Sequence, residues 1–194
     1  MSAAHPDDLA LAQQIAAGDE AAAATFFTNH GGELFGFARK MLSDASAAED
    51  VLQEAMLGVL RSISKYDGRV SLRAWAFAIL RHKVVDQIRK QGRDMLVSTT
   101  DPELENYDNS GSWNANQSIE PWDEQAELLD IVRYCMEQLP HNQREALHLR
   151  AIEGMPAQEV AEVLEMSYSN LRQTLHRGRQ SVRRCTDQHM GEDS

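Results

Sequence analysis

The sequence predicts an all-α fold of two small helical domains joined by a flexible acidic linker, and three observations carry that prediction. Apolar residues recur at three- and four-residue intervals in the long segments, and no segment sustains the alternation of a strand. A stretch in the middle loses the period and is dominated by Asn, Ser, Asp, Glu and Gly. The charge divides at the same places. Of a net −11 over 194 residues, residues 95–130 hold −9, with 9 acidic side chains and no basic one. Residues 1–94 (12 acidic, 11 basic) and 131–194 (9 acidic, 8 basic) hold −1 each. Near-neutral outer parts can still carry local basic stripes.

Leu9–Ala17 and Glu20–Phe27 read as helices broken at Gly18–Asp19, with Leu9, Ala12, Ile15 and Ala16 at helical spacing. Thr25 to Leu42 continues helically, interrupted at Gly31–Gly32, and Phe26, Phe27, Leu34, Phe35 and Phe37 supply core. Ser46 followed by Glu49 predicts a capping box, with Asp50 a further acid in the first turn. The helix it opens, Ser46 to Tyr66, carries the stripe Val51, Leu52, Ala55, Val59 and Ile63. Asp50, Gln53, Glu54, Arg61 and Lys65 lie mostly off that stripe, and Asp67–Gly68 ends the helix as a turn. Ser71 then caps a helix of roughly six turns, Leu72 to Arg93, with Leu72, Ala76, Leu80, Val84 and Ile88 in one row and Trp75 and Ile79 beside it. Arg73, Arg81, His82, Lys83, Arg89, Lys90 and Arg93 face a single internal acid, Asp86. A solvated helix face and a track for a polyanion both fit that stripe.

Met95 to Glu124 reads as the linker; its Trp113 and Trp122 fit either docking or local packing. Gln125 to Leu139 is helical again, with Ala126, Leu129, Val132 and Met136 in period. From Pro140 to Arg184 come three short helices: Asn142–Ile152, Ala157–Leu164 and Tyr168–Arg184. Gly154 and Pro156 punctuate the first gap, and Glu165–Met166–Ser167 makes the second. Ala146, Leu147, Leu149, Ile152, Val160, Ala161, Val163 and Leu164 are its expected core, closed by Leu171, Leu175 and Val182. Two helices joined by so tight a turn, the second rich in arginine, form the pattern of a helix-turn-helix DNA reader. Ser169, Asn170, Arg172, Gln173, His176, Arg177 and Arg179 are left facing outward. Arg and Gln can contact guanine and adenine edges in the major groove, and Arg183 and Arg184 suit phosphates.

Other chemistries find little support. No apolar run approaches the ~20 residues of a membrane span. Met1 to Ala10 carries two aspartates and no lysine or arginine, so no secretory signal is expected and the default compartment is the cytoplasm. Cys135 and Cys185 make no disulfide framework, and a reducing cytoplasm would keep them apart. Cys185 and His189 form one C-x3-H pair, short of the four ligands in paired spacings that structural zinc takes, so no metal is expected. No nucleophile signature or phosphate-binding glycine loop stands out, and no catalytic residue or cofactor is assigned.

Leu139–Pro140, Gln143–Arg144–Glu145, Leu149–Arg150, Glu153–Gly154, Glu159–Val160–Ala161, Leu171, Leu175–His176–Arg177 and Arg179 together resemble region 4 of the extracytoplasmic-function (ECF) sigma factors of the sigma-70 family. Ala48–Glu49–Asp50–Val51–Leu52–Gln53–Glu54–Ala55 resembles region 2.2, and Trp75 to Lys90 lies where regions 2.3 and 2.4 belong. The resemblance covers most of the chain. It departs at Pro156, in place of the usual Ser/Thr cap, at Glu165, where the turn often carries glycine, and at His82, where many relatives have asparagine.

The resemblance implies a promoter-specificity subunit with no catalysis of its own. Residues 1–94 would form the sigma2-like domain, 95–124 the acidic linker and 125–194 the sigma4-like domain. Asp50, Gln53 and Glu54 would dock on the β′ clamp helices of core RNA polymerase, the β flap being a further contact. Arg81, Lys83, Arg89 and Lys90 would track the −10 DNA, and Ser169, Asn170, Arg172, Gln173, His176, Arg177 and Arg179 would read the −35 element. Trp75 is read as core, and Glu165 as turned aside from DNA. The linker fits both a nucleic-acid mimic in polymerase channels and a solubilising spacer. Promoter DNA and an anti-sigma factor complete the implied partners. The competing readings are a stand-alone helix-turn-helix regulator and an all-α metal-dependent enzyme. The region 2.2-like helix opposes the first, and the absence of clustered ligands the second.

Overall fold

The chain folds into helices alone among the residues described by this computed structural model, 5–42, 44–90 and 123–191. The linker, with Trp113 and Trp122, lies outside the described residues except for its last two positions. The first half runs α1 (Pro6–Ala16), α2 (Glu20–Met41), α3 (Ala45–Ser62) with a 3₁₀ turn at Ile63–Lys65, and α4 (Leu72–Lys90). The second runs α5 (Asp123–Glu137), α6 (His141–Leu147), a π-helical turn at His148–Ile152, α7 (Ala157–Val163) and α8 (Tyr168–Gly191).

Helix starts follow local hydrogen-bond chemistry. Asp19 accepts from the backbone N–H of Ala21 and Ala22 at 3.0 Å and opens α2. The expected Ser46 capping box gives way to Asp44, whose carboxylate accepts from Ser46 N at 2.8 Å; the helix begins one residue before that serine. Ser71 does cap α4, its Oγ accepting from Ala74 N at 3.2 Å. The expected interruption at Gly31–Gly32 is absent, and α2 runs through both. A glycine costs a helix about 1 kcal/mol, which burial of Phe26, Leu34 and Phe37 on the same helix offsets. Gly68 does end its segment, at φ +73°, and a Cβ there would lie 2.9 Å from the Leu9 side chain.

α4 packs along α3 and against α2, and its apolar row is buried throughout: Leu72, Ala76, Leu80, Val84 and Ile88. Phe37 and Phe77 meet edge to face at 5.7 Å. Trp75 is half-buried and packs on Tyr66 at 5.6 Å. In the second half α6 and α5 lie against α8, and α7 bridges to α4, so the buried apolar side chains of both halves join in one cluster.

Two expectations are corrected here. Ile152, expected in the core, is 57% exposed, while Met155 is fully buried. The π turn, closed by Glu153 N donating to His148 O, takes an extra residue into the turn and rotates Ile152 off the face that Leu149 buries. Cys135 and Cys185, expected apart, are joined as a disulfide with Cα atoms 5.8 Å apart. The side-by-side packing of α5 and α8 brings together residues separated by 50 positions, inside the span a disulfide bridges.

Candidate nucleic-acid interface

The exposed face of α3 is the reverse of its buried stripe of Ala48, Val51, Ala55 and Val59. At ~3.6 residues per turn, Asp50, Gln53, Glu54 and Leu57 fall together on it, and all four are exposed. Leu57 at 50% and Leu60 at 40% are large apolar side chains left to solvent, with acids beside them. The sequence reading passed over both leucines; their position off the Val51–Val59 rows was the available signal. Such a rim-and-apolar surface suits a protein partner. Glu54 also accepts a hydrogen bond from Lys83 Nζ at 3.1 Å, which holds its carboxyl below the ordinary range.

The basic residues of α4 do not share one environment. Lys90 and Arg89 are exposed, Arg89 pairing with Asp86 at 3.6 Å. Lys83 reaches back to Glu54. Arg81 is covered: its Nε donates to the carboxylate of Glu145, at 3.2 and 3.3 Å, and Glu145 itself is only 1% exposed. Further acids of the second half meet α4 in the same way. Arg73, which also donates to Glu33 of α2 at 2.7 Å, donates to the carboxylate and carbonyl of Glu153 at 2.9 and 3.0 Å. Ser71 donates through its N–H and hydroxyl to Glu159 at 2.7 and 2.9 Å. His82 Nε2 lies 3.0 Å from Glu165 Oε1. Glu165 thus lies against α4, in a turn it holds at φ +54°, a conformation that would favour glycine.

α8 begins where Ser167 Oγ accepts from Asn170 N at 3.2 Å. Pro156, at the equivalent place before α7, makes no side-chain cap. Leu171, Thr174 and Leu175 turn inward, and Gly178 lets α8 approach α6 so closely that a Cβ would lie 2.9 Å from Leu147. Ser169, Asn170, Arg172 and Arg179 are exposed, and Gln173, His176 and Arg177 half-buried. These seven line the outer side of one helix, over the turns nearest its N-terminus, where a recognition helix presents its contacts. Arg183, which the sequence assigns to phosphate, pairs with Asp187 at 3.8 Å. Among the described residues, one group has metal-ligand chemistry: Cys135, Cys185 and His189. No helix of the described residues is long and apolar enough to cross a membrane.

Comparison with known proteins matches both halves to one family. Residues 26–94 match the Sigma-70 region 2 family, and residues 129–182 match Sigma-70, region 4. The chain is 32% identical over 157 residues to the ECF RNA polymerase sigma factor SigX of Bacillus subtilis, covering 78% of this chain and 77% of SigX. It is 28% identical over 162 residues to a probable RNA polymerase sigma factor of Haemophilus influenzae, covering 79% and 84%. It is 27% identical over 134 residues to the ECF RNA polymerase sigma-E factor of Escherichia coli K12, covering 69% and 70%. In fold it is similar to CnrH, solved in complex with the cytosolic domain of CnrY, with TM-score 0.66 and 24% identity over 93% of this chain and 97% of that one. The sigma factor RpoE of Bartonella quintana, solved with the anti-sigma factor NepR, gives TM-score 0.61 and 20% identity over 84% and 94%. With two region matches in chain order and a relative above 30% identity across three quarters of its length, the chain belongs to the ECF subfamily of sigma-70 RNA polymerase sigma factors.

Proposed function

We propose that this chain binds core RNA polymerase and directs it to promoters, reading the −35 element with α8 and engaging the −10 element with α4. The observation that carries this reading is the union in one chain of an exposed acidic–apolar face on α3 and a helix-turn-helix that presents arginines on α8. In this reading residues 1–94 form the polymerase-docking and −10 domain, 95–124 the tether and 125–194 the −35 domain. Asp50, Gln53 and Glu54, joined by Leu57, face the β′ clamp helices, and the β flap receives the second domain. Acids rimming an apolar contact steer a basic partner surface and fix its register. The protein works in the cytoplasm, and it supplies recognition while the polymerase supplies catalysis. An anti-sigma factor is its natural regulator.

The −10 assignment carries a structural condition. Lys90 and Arg89 are exposed on α4, but Arg81 reaches a phosphate only by exchanging Glu145 for it. The two halves therefore part along the α4–α7 contact when the protein engages polymerase and DNA.

The test is in-vitro transcription with core polymerase across a promoter library. Initiation from a defined promoter class is the expected result, and failure to bind core polymerase or to start anywhere would overturn the reading. Duplex binding without core binding would favour the stand-alone regulator. Within that assay Arg172→Ala should weaken −35 recognition by about 1–3 kcal/mol, with core binding unchanged. Loss of core binding instead would refute the domain assignment.

A further inference from the structure

The second half of the molecule holds a group of thiol and imidazole side chains that promoter recognition does not use. Cys185 and His189 stand four residues apart on α8 and so share a face of that helix. Cys135 meets them from α5, where it is 1% exposed. The two sulfurs and a ring nitrogen of His189 all lie within 4.8 Å of one another. The Tyr134 ring packs edge-on against the His189 imidazole, centroids 5.2 Å apart, and Thr186 Oγ1 lies 3.9 Å from Cys135 Sγ. The sequence shows only the Cys185–His189 pair; the third donor comes from 50 residues upstream.

We propose that the reduced protein binds Zn²⁺ through Cys135, Cys185 and His189, and that disulfide and metal are alternative occupants of the same two sulfurs. A disulfide between α5 and α8 needs no imidazole beside it, whereas His189 is placed where a third ligand belongs. Zinc takes cysteine sulfur at about 2.3 Å and histidine nitrogen at about 2.0–2.1 Å. Side-chain rotation within the observed triangle brings the three donors to those distances, and water takes the fourth position. Burial adds a reason for the charge of the ligand. A thiolate at Cys135 would be enclosed away from solvent, and a dication neutralises it there.

The chemistry balances in two steps. A dithiol or phosphine reductant supplies two electrons to the S–S bond, and two protons from solvent complete the two thiols. Metal binding then breaks both S–H bonds, releases two protons to solvent and forms two zinc–thiolate bonds. Neutral His189 adds a ring-nitrogen lone pair and loses no proton. Either occupant fastens α5 to the C-terminal half of α8. The site stands on these three side chains whether or not α8 reads DNA.

The test uses the full-length protein, reduced with a phosphine that is then removed without air. Zn²⁺ is titrated in competition with a chromophoric chelator. The expected result is one equivalent bound by the reduced protein and none by the disulfide form. Co²⁺ in place of Zn²⁺ should give a thiolate-to-cobalt charge-transfer band that Cys185→Ser abolishes. His189→Gln, checked for intact helicity by circular dichroism, should weaken Zn²⁺ binding by about tenfold or more. The proposal is overturned if the reduced protein takes up no equivalent of Zn²⁺, if the disulfide form binds it as well, or if His189→Gln binds as tightly as the parent.

Discussion

Glu54 and Lys83 join two surfaces proposed for different partners, Glu54 for core polymerase and Lys83 for the −10 DNA, by an ion pair at 3.1 Å. Their hydrogen bond, the largest influence on Glu54, lowers its pKa, so the sign of the pH effect follows. The stabilisation is present above the unfolded glutamate value of about 4.3 and is lost as pH falls through the lower folded value. Both side chains are more than a third exposed, and solvent and salt screen the pair. Lys83→Ala should return the Glu54 titration, followed by carboxyl NMR, to the ordinary glutamate range; an unmoved titration would show that the pair does not form in solution. Under the proposed function, a DNA phosphate that takes Lys83 would release Glu54 to a polymerase cation, so the two engagements need not compete.

At the scale of the element, the turn after α6 separates two apolar residues that periodicity treats alike. Leu149→Ala should cost about 2–5 kcal/mol in urea unfolding, and Ile152→Ala within about 0.5 kcal/mol, because one is fully buried and the other is 57% exposed. Equal losses would mean that the π turn does not hold in solution. The helices were legible in the sequence because their apolar rows follow the plain 3.6-residue period, as Leu72 to Ile88 on α4 does. The π turn was not, since it inserts a residue without any glycine or proline to announce it. The start of α3 was misread for a related reason: Asp44 and Ser46 are both good caps, and the choice rests on where the chain enters from α2. The candidate DNA-facing side chains of α8 were legible as the residues its core row excludes. The partners of Arg81 and Cys135 were not, because Glu145 and Cys185 reach them only through the packing of one helix on another.

For the whole molecule, the decisive feature is the set of carboxylates that the second half lays on α4. Arg81→Ala and Glu145→Ala should show a coupling of about 1–3 kcal/mol in a double-mutant cycle of urea unfolding; additivity within about 0.5 kcal/mol would mean the two halves do not hold each other this way. Under the proposed −10 reading, Glu145 is a rival of DNA for Arg81. The rivalry has a consequence in the ion atmosphere of the nucleic acid. Each phosphate that a protein cation neutralises frees condensed counterions, adding about 0.9 to the slope of affinity against salt. Arg81, neutralised from within, would free none while the halves stay joined. Under the proposed −10 reading, the counterion release that Arg81 would add is therefore held back in the polymerase-free protein and kept for the encounter at a promoter, while exposed Lys90 is not held back in this way.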